Sequence, residues 1–95
     1  MKKFLLLTIG FVPPTDEIMA GWHKWFDSIG DRLVEQVGLA SGVEITPGGS
    51  KDLPMDLEAT TGYMVIQAEN FEEAQRIAGE CPSITSIRVY EIRSM

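Results

Sequence analysis

The sequence is short of cysteine, histidine and positive charge. With Cys81 alone there is no internal disulfide, and one cysteine and one histidine, His23, give no spacing that resembles a zinc or redox motif. No metal and no cofactor is expected. Eight Lys and Arg stand against 14 Asp and Glu, a net charge of −6 that repels phosphate groups, so neither nucleic acid nor a membrane is an expected partner. No apolar run approaches the roughly 20 residues that cross a bilayer. The opening Met1-Lys2-Lys3 and the apolar residues after it imitate a secretory signal, but the run meets Pro13-Pro14 without a small-residue cleavage pattern. A lone thiol and no leader together predict a cytoplasmic protein. Phosphate-cradling glycine loops and nucleophile elbows are also missing, and Gly48-Gly49 reads as a turn.

What is present is an ordinary globular composition, 44% hydrophobic and 23% charged over 95 residues. A chain of this size hides roughly 60–65% of its unfolded surface, enough for one core, so residues 1–95 are expected to form a single domain.

Residues 4–9 are apolar except for Thr8 and are bounded by Gly10, which predicts a strand with both faces covered. Thr15, Asp16 and Glu17 open a helix, acids in the first turn suiting its positive end. The stripe Ile18, Trp22, Trp25, Phe26, Ile29, Leu33 and Val37 extends that helix to residue 37, before Gly38. Residues 39–45 form a candidate second strand, 47–50 a turn, and 51–60 a connection without a period, read as a flap. Residues 63–68 are a strand. Asn70 followed by Glu73 is a capping pattern for a second helix, which buries Phe71, Ala74, Ile77 and Ala78 and closes at Cys81-Pro82; residues 87–92 are the last strand.

This order predicts an α+β fold, a ferredoxin-like β-α-β-β-α-β sandwich: a four-stranded antiparallel sheet with two helices on one face. The other face is then bare. Strands apolar on both sides predict that a second copy covers it, making a homodimer, a dimeric α+β barrel.

Residues 62–82, GYMVIQAENFEEAQRIAGECP, with the later IRVYEI and the opening MKKFLLLTIG, resemble the YCII-related family over most of the chain. The resemblance implies the dimeric ferredoxin-like barrel. Many members carry Asp-Gly-Pro-Phe before the third strand; the nearest match is Asp52-Leu53-Pro54-Met55, which departs at Leu53 and Met55. Where many relatives have a Glu in the last strand, this chain has Arg88. Some members have been proposed to use a histidine and an aspartate in a pocket beside the barrel, and His23 is the counterpart of that histidine.

His23 is the one side chain of a type that titrates near neutrality, which suits proton exchange, and Asp27 follows by four residues, the spacing at which a carboxylate can orient an imidazole. An exposed, idle pair is the plain alternative. Trp22 can stack on a flat ligand or serve the core. Tyr63 and Tyr90 can offer hydroxyls to a ligand, or simply fill a half-buried sheet. Arg88, with Arg93, can clamp an acid, or be solvated. Asp52, Asp56 and Glu58 lack the spacing of a calcium loop.

The leading expectation is a cofactor-free homodimer that binds a small organic acid or aromatic molecule. His23, assisted by Asp27, would act as general acid or base in a proton transfer, elimination or isomerisation, with Trp22, Asp52, Tyr63, Arg88 and Tyr90 binding the ligand. The alternative is a non-catalytic module that senses a metabolite or docks on a protein.

Overall fold

The apolar opening run forms β1, Lys2–Ile9, at the centre of a four-stranded sheet. The computed structural model describes residues 1–93. After β1 come α1 (Asp16–Ile29), a single 3-10 turn (Gly30–Arg32), β2 (Leu33–Gly38), β3 (Gly42–Thr46) and β4 (Gly49–Leu53). The chain continues with β5 (Thr60–Ala68), α2 (Phe71–Gly79) and β6 (Ser86–Glu91). Strand order is β2-β5-β1-β6 and every neighbouring pair is antiparallel. This is the expected ferredoxin-like α+β order, with β3 and β4 inserted between β2 and β5 as a separate two-stranded ribbon.

Alternation along the central strands sets the layers. Phe4 and Leu6 on β1 lie beside Ile66 and Met64 on β5 and pack in one buried cluster with Trp25 and Ile29 of α1 and Ala74, Ile77 and Ala78 of α2. Both helices therefore cover the same face. Phe4, Leu6 and Ile66 have no exposed surface, and each such burial stabilises by about 1.5–3 kcal/mol. The opposite face carries two cross-strand rows, Val37-Tyr63-Leu7-Arg88 and Glu35-Val65-Leu5-Tyr90. Its leucines are only half buried.

Two expectations are corrected. The first helix ends at Ile29 and not at residue 37, because Gly30 turns the backbone to φ +51° and breaks the helical path. Leu33 and Val37 belong instead to β2. An irregularity at Val34 separates them, so that Leu33 pairs with Ile66 on the helix side while Val37 pairs with Tyr63 on the open side. The second strand of the sheet is thus residues 33–38 and not 39–45. Most of the latter segment lies in the ribbon, whose strands join at the two-residue turn Pro47-Gly48 and are exposed throughout.

The segment read as a flap is likewise more tied than expected. Its first residues are in β4, and the rest is held to the end of β1 by Gly10 N–H on the Ala59 carbonyl (2.7 Å) and Phe11 N–H on the Asp56 carbonyl (2.8 Å). Thr85 adds a hydroxyl bond to the Leu57 carbonyl. At the far end of the sheet, Ile92 N–H bonds the Lys3 carbonyl at 3.0 Å, which seats the end of β6 beside the start of β1.

Candidate functional site

Thr15 caps α1 by accepting the Ile18 N–H at 3.2 Å, and Trp25 fixes the helix's rotation by donating its indole N–H to the Ile77 carbonyl at 3.0 Å. With Trp25 turned into the core, Trp22 and Phe26 fall on the shoulder of the buried stripe. The three rings form a contiguous cluster: Trp22 meets Trp25 edge-on at 5.7 Å and Phe26 at 5.8 Å, and Trp25 meets Phe26 at 5.3 Å. His23, exposed and adjacent to Trp22, is carried to the rim of the cavity those rings help to wall.

The cavity measures about 410 Å³, inside the usual range of ligand clefts, and lies between α1 and the β2–β5 end of the sheet. Its walls include Met19, Trp22, Phe26, Gln36 and Met64, with the Thr8 and Thr61 hydroxyls. Gly62 is required here: a Cβ on it would stand 2.8 Å from the Val37 carbonyl and push β2 away from β5. Only His23 and Tyr63 among the lining residues are titratable. Tyr63 commits its hydroxyl to Glu35 Oε1 at 3.2 Å, and burial, together with that carboxylate, raises its pKa above the usual phenol range. At neutral pH the tyrosine therefore stays protonated, and His23 is the one lining group of a type suited to exchange a proton.

The structure thus gathers His23 and Trp22 at one cavity; Tyr63 borders it from β5, but its ring lies in the open-face row with Val37 and Leu7. Asp27 is exposed and does not line it; among the described residues no hydrogen bond or ion pair joins Asp27 to His23. Arg88 and Tyr90 stand on the open face of the sheet, beside Leu7 and Leu5, and Asp52 lies in the ribbon opposite Val43. Sequence reasoning passed over Thr8, Thr61, Met19 and Gln36. The signal available was Thr8, a lone polar residue in an apolar strand run.

Cys81 is no rival centre. It is buried against the core, and burial pushes its thiol up to about 11, so the reactive thiolate is scarce at neutral pH. Among the described residues no group of three or more His, Cys, Asp or Glu is placed to hold a metal ion, and no helix is long and apolar enough to cross a membrane.

No family model and no curated protein matches the chain. Among solved structures it is similar to the 5-chloro-2-hydroxyhydroquinone dehydrochlorinase of Burkholderia phenoliruptrix, in complex with 2,5-dihydroxybenzoquinone. The TM-score is 0.56 at 11% identity, over 98% of this chain and 95% of that one. The likeness is one of fold.

Proposed function

We propose that this chain is a one-domain, YCII-like small-molecule-binding protein that works as a homodimer, with His23 as general acid or base on a small organic acid or aromatic ligand. The observation that carries the reading is the aromatic-walled cavity in which His23 is the one lining side chain of a type suited to proton exchange. Trp22 and Phe26 supply faces for a flat ligand, and the Thr8 and Thr61 side chains supply polarity without competing for the proton. A proton transfer, elimination or isomerisation needs only such a group beside an oriented substrate. One solved structure of similar fold is that of a dehydrochlorinase holding a dihydroxybenzoquinone, which agrees with this class of ligand.

The dimer is proposed on the open sheet face. Leu5, Leu7, Val37 and Val65 form its apolar centre, with Glu35 on β2 at one edge and Arg88 on β6 at the other. Two copies stacked about an axis parallel to the strands set the acidic edge of each over the basic edge of the other. Arg88 then serves assembly and not the ligand.

A thermal-shift screen of the wild type and His23→Ala against small acids and aromatic metabolites tests the site, since a ligand specific to the folded state raises apparent stability. The expected result is a stabilising compound whose effect, and whose turnover, falls in the variant. Affinity and turnover both unchanged in His23→Ala would falsify the reading.

A further inference from the structure

A second cavity of about 510 Å³ adjoins the first and shares Thr8, Met19, Trp22, Gly38 and Thr61 with it. Its chemistry differs. The walls carry no titratable side chain, and Phe11, Leu39, Met55 and Ile84, each between 36% and 40% exposed, converge on it from four separate segments of the chain. Large apolar side chains left in water and gathered around one charge-free hollow mark a place for an apolar group.

The junction between the two cavities is polar. The Thr8 hydroxyl donates to the Gly62 carbonyl (3.2 Å) and the Thr61 hydroxyl to the Thr8 carbonyl (3.3 Å), while the two hydroxyl oxygens stand 3.0 Å apart. Two hydroxyl hydrogens serve three contacts, so one contact always lacks a hydrogen. The hydroxyl oxygens keep acceptor lone pairs that a ligand O–H or N–H can use.

We infer that the site takes an elongated amphiphile, with a hydroxyl-bearing polar head between His23 and the Thr8–Thr61 pair and an apolar arm in the charge-free cavity. This rests on the His23 cavity being the ligand site and adds the shape and polarity of its substrate class. Because the two cavities adjoin and Thr8, Met19, Trp22, Gly38 and Thr61 line both, one molecule can reach from the head's place to the arm's.

The test is calorimetric titration of the full chain with para-methylphenol, para-propylphenol and para-pentylphenol. Each methylene that enters the second cavity should tighten binding about fourfold. Ile84→Trp and Leu39→Trp, which fill that cavity from its rim, should remove the gain with length. If para-methylphenol binds, and binds less well to His23→Ala, yet the series is flat, the arm is overturned while the His23 site stands. If none of the phenols binds, both fall. A length gain that survives both Trp variants puts the arm elsewhere and overturns the proposal, as does a long homologue that binds only by dissociating dimers, which would give the cavity to a second copy.

Discussion

Trp25 donates its indole N–H to the Ile77 carbonyl across 3.0 Å, a buried bond between α1 and α2. It also sets which way α1 faces, and hence where His23 stands. Trp25→Phe removes the bond and leaves that carbonyl the more distant Glu80 N–H at 3.2 Å. The expected loss is about 1–2 kcal/mol, read as a lower urea midpoint at unchanged slope. Trp25→Ala should cost about 3–5 kcal/mol through the added cavity.

Glu73 lies between Arg32 and the start of α2. The Arg32 guanidinium, and after it the Glu69 N–H at 3.2 Å, hold its carboxyl below the usual range. The folded value is lower than the unfolded one, so its stabilising contribution is complete above the ordinary carboxylate range and is lost as pH falls through the lowered folded value. Glu73→Gln should therefore flatten the acid limb of a stability-against-pH curve. Asn70→Ala removes the cap on the Glu73 N–H (2.8 Å) and should cost about 1 kcal/mol at neutral and acid pH alike.

Cys81, with its thiol at about 11, should resist alkylation in the folded protein. At about pH 8 on the order of one thiol in a thousand is thiolate, so iodoacetamide should react at the rate the structure opens, and quickly once urea unfolds it. Fast labelling of the folded chain would contradict the burial found here.

Leu7 sits mid-row on the open face, between Tyr63 and Arg88. Leu7→Lys should yield folded monomers by sedimentation, because the charge meets water in one copy and a second apolar sheet in the dimer. Arg88→Glu should weaken the dimer, and adding Glu35→Arg should restore part of the loss. A wild type that sediments as a monomer would end the assembly proposal.

The sheet's central strands and α2 were legible because their signals are local and agree with each other: short apolar runs at 4–9 and 63–68, an Asn-to-Glu capping pair, a closing Cys-Pro. The end of α1 was not. Leu33 and Val37 continue a helical spacing of four that a strand also satisfies, and only the left-handed turn at Gly30 decides between them. The second strand of the sheet therefore begins at Leu33, ahead of the segment 39–45 that its composition suggests. For the site, His23 and Trp22 follow from helix geometry alone. Thr8 and Thr61 do not, since their meeting depends on the pairing of strands 53 residues apart. Arg88 and Tyr90 alternate onto the face away from the helices, a choice that register makes and composition does not.

The bond from Ile92 to Lys3 places the last strand's end against the first strand's beginning, while the Pro47-Gly48 turn lies at the tip of an exposed ribbon. Chain order is thus separable from architecture. Linking the two adjacent ends and cutting at the ribbon tip would give a permuted polypeptide whose new termini lie outside the four-stranded sheet, turning the ribbon into two free arms. Each arm would be a point of attachment for a reporter or tether, with every residue that walls the His23 cavity still in its own segment of backbone.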